Sequence, residues 1–177
     1  MMSKYTPLEI VLNFVKTALL LVALEILSTA FLPAIGIINF RPAFNVLIVL
    51  YLAFKLDIPV LPILILLTQF VHSVFSIEGW AVGTITGVMI AVSVRFLKDL
   101  LSFSTPISTI VVVQMFQLGW FVIKSFLLCL KFETFEPFFS LVWKQTPESF
   151  LLSLSAPYFF ILLDAFWRPG QSTLGAR

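Results

Sequence analysis

Among the polar side chains inside otherwise apolar stretches of the chain are Glu25, Gln69, His72, Gln114, Gln117 and Lys124. Such groups are expensive among lipid tails, so each marks a candidate site. Gln69 and His72 are three residues apart, as are Gln114 and Gln117, which places each pair on one helix face. As functional groups they would form a proton relay or a polar substrate pocket. As structural groups they would hydrogen-bond one helix to another, with Glu25 and Lys124 available as a buried pair. The structural reading is preferred, because side chains of these types commonly join helices in membranes.

Catalytic and metal chemistry find little support. His72 is the only histidine and Cys129 the only cysteine. A metal site of three or four histidine and cysteine ligands therefore has too few donors, and no internal disulfide can form. No G-x-S-x-G sets a nucleophile, and no G-x-x-x-x-G-K-[ST] cradles a phosphate. The expectation is a protein with no enzymatic activity, no cofactor and no metal. A net charge of +2 without a basic stripe makes no case for nucleic acid.

The elements that must position these groups follow from composition. Of 177 residues, 60% are hydrophobic and 11% are charged. Soluble domains carry about 25% charge, so this chain cannot cover a water-facing surface. It reads as an integral membrane protein in contact with lipid. Apolar stretches at 10–32, 38–56, 59–77, 79–96, 106–130 and 150–167 predict one all-α domain, a compact bundle of six transmembrane helices. The second stretch is short, and five helices result if it does not span. Runs such as Ile63 to Leu67 are apolar on both faces, which opposes a β-barrel. The first stretch is too long for a signal peptide and contains Glu25, so it reads as an uncleaved helix. Pro157 predicts a kink in the sixth.

Basic residues predict the orientation. With the N-terminus inside, Lys4, Lys16, Lys55, Arg95, Lys98, Arg168 and Arg177 face the cytoplasm, against Arg41, Lys131 and Lys144 outside. Both termini are thus expected in the cytoplasm. Residues 131–149 form the largest outer loop, where phenylalanines and Trp143 interleave with Glu133, Glu136 and Lys144. Such a segment lies in the membrane interface, either as a lipid-anchored connector or as a docking surface.

Gly79, Gly83, Gly87 and Ala91 recur at every fourth position of the fourth stretch. One helix face is therefore almost without relief, so a second helix can approach it closely. Packing within the molecule is the preferred use, and a face for another protein is the alternative.

Phe40, Arg41 and Pro42, followed by a leucine-rich run from Val46 to Ala53, resemble the rod-shape-determining protein MreD family. The similarity extends by pattern over residues 31–98, with the family's helix-three aspartate replaced here by His72 as the nearest counterpart. The resemblance implies a non-enzymatic scaffold of the bacterial inner membrane. Its partner would be an MreC-like protein and, through it, MreB, RodA and a class B penicillin-binding protein in lateral wall synthesis. It also implies a fold like the substrate-binding subunits of energy-coupling-factor transporters, which supplies the alternative of a small-molecule-binding subunit.

Overall fold

The first helix is started by a reciprocal cap. The Thr6 hydroxyl accepts the Glu9 N–H at 3.3 Å, and the Glu9 carboxylate accepts the Thr6 N–H at 2.8 Å. Pro7 follows at the first helical position, where a missing N–H costs little. Thr105, Pro106 and Ser108 repeat this arrangement at the fifth helix. In this computed structural model, residues 6–36, 41–56, 59–76, 79–97 and 105–167 are described. They form six helices and no strands: α1 (Pro7–Ala34), α2 (Phe44–Lys55), α3 (Leu61–Ser73), α4 (Trp80–Leu97), α5 (Pro106–Phe132) and α6 (Phe138–Phe166). The chain is thus an all-α protein, and α1, α4, α5 and α6 are each long and apolar enough to cross a membrane.

The shortest helix is the centre of the core. No residue from 46 to 52 of α2 exposes more than 3% of its surface. A helix that is apolar all round must be covered all round. The cover comes from α1, α3, α4, α5 and α6, each of which packs on α2. Phe54 meets Phe116 of α5 edge-on at 5.6 Å, and Tyr51 meets Phe160 of α6 at 5.5 Å. Burial also explains the length. Twelve residues rise only about 18 Å, but backbone shielded from lipid by neighbouring helices need not match a hydrocarbon core of about 30 Å. The outer helices instead expose Leu19, Met115, Phe150 and Ile161 to the surroundings, as lipid-facing surfaces do.

Contacts at helix ends order the bundle. Lys55, at the end of α2, pairs with Asp164 near the end of α6 at 2.6 Å. Pro106 at the start of α5 lies in the same niche, and Arg95 of α4 lies beside Leu56 and Pro59. At the opposite end, Arg41 precedes α2 beside the first half of α6, the C-terminal parts of α1 and α3, and Lys124 of α5. So α2, α4 and α6 run one way, and α1, α3 and α5 the other.

Two expected boundaries are corrected. Residues 131–149 are not a loop: α5 continues to Phe132, α6 begins at Phe138, and the connection is only residues 133–137. Glu133 closes α5 in the left-handed region at φ 55°, and the Thr134 N–H reaches back to the Cys129 carbonyl at 3.2 Å. Aromatic residues interleaved with Glu133, Glu136 and Lys144 made the segment read as an interfacial connector. Pro147 removes one helical bond at Trp143, which is 78% exposed, so the loss falls at the surface. The second boundary is Gly79, which stands outside α4 with φ 80° and open space where a Cβ would be. It is a left-handed lead-in suited to glycine, not a packing position.

Candidate functional site

A cavity of about 560 Å³ lies at the end of the bundle where α1 and α3 finish. Glu25 and Ser28 of α1, His72 and Ser76 at the end of α3, Lys124 of α5, and Lys144 and Glu148 of α6 all line it, together with Arg41. His72 Nδ1 and Glu25 Oε1 are 2.6 Å apart. The carboxylate is almost wholly buried, and the imidazole is partly so.

Local sequence explains why Glu25 points there. Pro33 cannot donate a helical bond, and residues 27–31 of α1 widen into a single π-turn just before it. Within that turn the Ser28 and Thr29 hydroxyls donate to the Glu25 carbonyl at 3.1 and 2.6 Å. The backbone at Glu25 is thereby held by its own neighbours while its side chain turns to His72. Interrupted helices of this kind often accompany functional sites.

The candidate polar residues divide into three groups. Glu25, His72 and Lys124 meet at the cavity. Glu25 pairs with His72, as α1 packs on α3, and Lys124 of α5 lines the same cavity. Gln69, one turn before His72, turns instead into the core, where Asn45 Nδ2 donates to its Oε1 at 3.1 Å. Gln114 joins α5 to α6, donating to Ser149 Oγ at 3.0 Å and accepting from Ser153 Oγ at 2.8 Å. Gln117 is fully buried, and neither of its amide atoms has a partner among the described residues. Three of the six groups therefore line the cavity, and the two structural glutamines, 69 and 114, tie helices together.

The small-residue face of α4 is occupied from within. A Cβ at Gly83 would strike Gln69, and one at Gly87 would lie 2.7 Å from Ile65 of α3 and 3.2 Å from Trp120 of α5. Ala91 is buried in the same core. Of the F-R-P motif, Arg41 lines the cavity and Pro42 is buried beside it, while Phe40 lies outside the described residues.

Sequence reasoning missed Ser28, Ser76, Lys144, Gln145 and Glu148 as cavity residues. The helical spacing of Lys144, Glu148 and Leu152 was the available signal, but it was masked by reading residues 131–149 as a loop. Chemically the cavity offers paired charges, hydroxyls and apolar walls. No hydroxyl is placed on His72 among the described residues, since Ser28 and Thr29 bond to the Glu25 carbonyl and Ser149 to that of Thr146. Nor do three histidine, cysteine, aspartate or glutamate side chains converge as a metal site there among the described residues.

No family model, curated protein or solved structure matches the chain.

Proposed function

We propose that the chain is a non-enzymatic membrane subunit of the MreD kind, acting by contact with an MreC-like partner in a bacterial elongation complex. The observation that carries this reading is the place of the resembling segment. Residues 41–53 lead into and form the helix around which the molecule is built. A resemblance confined to surface residues would carry less weight, because the core determines which fold the rest can adopt. All six helices cross the inner membrane in this reading, with both termini in the cytoplasm and the cavity facing outward.

The partner meets the outward end of α6 and not the small-residue face, which α3 and α5 fill. Phe139 and Trp143 are 82% and 78% exposed there. Co-expression with the MreC-like protein of the same genome, followed by affinity purification in mild detergent, tests this. Wild-type protein should co-purify, and Phe139→Ser with Trp143→Ser should lower recovery without lowering expression. Failure of the wild-type pair to co-purify removes the reading.

The cavity favours a second reading, a small-molecule-binding subunit. Ligand sites are concave, largely apolar and furnished with a few convergent polar groups. Saturable thermal stabilisation by a small solute, lost on substitution of cavity residues, is its test.

A further inference from the structure

At the other end of the bundle from the His72 cavity, a cleft of about 380 Å³ is lined by α2, α5 and α6. Lys55 and Asp164 stand at its outer end, where α2 and α6 finish. The Tyr51 hydroxyl donates to Asp164 Oδ1 at 2.8 Å, and Lys55 Nζ lies 2.6 Å from the same oxygen. An ammonium carries three donors and a carboxylate about four acceptor positions, so these contacts satisfy the two charges only in part. Neither charge has a further partner among the described residues, and both side chains are 42% exposed. Further in, the lining turns apolar. Phe160 is one turn deeper on α6 than Asp164, and Pro157 is about 10 Å deeper. Ile161 is 66% exposed at the rim, and α5 and α6 are both long and apolar enough to cross a membrane, so the cleft opens towards lipid. Its order from the bundle end inward, charged and then apolar, is that of a phospholipid from headgroup to tail.

We infer that this cleft binds a phospholipid with an ethanolamine headgroup, its phosphate on Lys55 and its ammonium on Asp164. Opposite charges side by side match a headgroup that carries both on one short link, and each contact is a charge-assisted hydrogen bond. Basic side chains between transmembrane helices receive lipid headgroups in the same way. The acid beside Lys55 decides among the lipids. An anionic headgroup with no ammonium would set its phosphate next to the Asp164 carboxylate uncompensated. A choline headgroup has the positive charge but no N–H to donate, and its methyl groups hold that charge away from the oxygen. The inference needs only the lipid-facing position of α5 and α6, and neither functional reading above.

Thermal unfolding of the purified full chain in dodecyl maltoside tests this. Dioleoyl phosphatidylethanolamine, phosphatidylcholine and phosphatidylglycerol are titrated in separately as mixed micelles. The ethanolamine lipid should raise the unfolding temperature saturably, with an apparent Kd about tenfold tighter than the choline lipid, as one charge-assisted hydrogen bond implies. Asp164→Asn keeps an acceptor for Tyr51 but removes the acid, so the preference should pass from the ethanolamine to the glycerol lipid. Lys55→Gln should weaken the ethanolamine lipid about tenfold. Arg95→Gln, in a separate cleft at the same end, should leave its Kd unchanged. An ion pair that only holds helices together would lower stability in both cleft variants without changing which lipid is preferred. Ile161→Trp crowds the exposed rim with the ion pair intact, so it tests the site even where a charge variant does not fold. It too should weaken the ethanolamine lipid. Equal stabilisation by the three lipids, or tightest binding of the glycerol lipid to the wild type, overturns the inference. So does an ethanolamine preference that survives Asp164→Asn, equal weakening in Arg95→Gln, unchanged binding in Ile161→Trp, or no saturable response at all.

Discussion

Glu25 shows how much one residue depends on its partner. Its carboxylate is the more buried member of the pair with His72, at 5% against 19% side-chain exposure. Removing the imidazole therefore leaves the more buried polar group without its partner, whereas removing the carboxyl group leaves the less buried one. The expected order is a loss of about 3–5 kcal/mol for His72→Ala and a smaller loss for Glu25→Gln. The double variant should lose less than the sum, because neither group is then left without its partner. Unfolding temperatures of the three variants in detergent check this, and simple additivity would mean that the contact carries no energy. A similar contrast applies to the glycines. Gly83→Ala presses on the end of a flexible glutamine, but Gly87→Val drives a branched side chain into Ile65 and the Trp120 ring. The second should cost about 1–3 kcal/mol by overpacking and should lower the unfolding temperature more than the first. The sequence made all of these residues candidates, since polar groups and repeated glycines stand out in an apolar chain. It could not say which polar groups meet, because partner choice depends on which helices touch.

Among the elements, α2 and α6 were the hardest to read, for opposite reasons. A 12-residue apolar run falls short of a lipid-facing span, and its burial on every side is a property of its neighbours rather than of its own pattern. In α6, charges and two prolines hide a 29-residue helix, because the long hairpin with α5 supplies the packing that local propensity lacks. By contrast, α5 was legible almost to the residue: Thr105, Pro106 and Ser108 are a local start signal that needs no tertiary context. The central position of α2 also predicts an asymmetry among leucines. Leu50 is fully buried, and Leu151 of α6 is 53% exposed. Lipid is as apolar as leucine, so truncating a lipid-facing side chain loses little, but truncating a core one leaves a void that helices cannot close. Leu50→Ala should cost about 2–4 kcal/mol and Leu151→Ala under about 1. Denaturant or thermal midpoints of the two variants, measured in the same detergent, compare them directly, and equal losses would refute the central placement.

At the scale of the molecule, orientation hangs on α2 and α3 together. Sequence alone made the second stretch a parity problem, since dropping one span would move the C-terminus across the membrane. The structure pairs the two short helices: α2 starts at the cavity end, α3 returns there, and Leu56 and Pro59 lie at the far end. Both cross or neither does, so with the four long helices crossing the number of passes is even. The turn between them then decides between six passes and four. In a Cys129→Ala background, single cysteines replace Ile35, Pro59, Arg95 and Glu136, all of them exposed positions. Cys129 is buried, and its removal leaves no other thiol to react. A membrane-impermeant maleimide applied to intact cells should label the variants at positions 35 and 136 but not those at 59 and 95, which react only after lysis. Labelling of position 59 together with 35 would place the turn on the cavity side. Failure of position 59 to label even after lysis, with 95 reactive, would make α2 and α3 a re-entrant pair ending inside the membrane. The first pattern is expected because residues 41–55 run beside α6 from Glu148 to Asp164, about 24 Å of rise along α6, and Lys55 ends that course in an ion pair at an exposed site. A half-exposed lysine and aspartate at that point are stable where water reaches them, and costly where it does not.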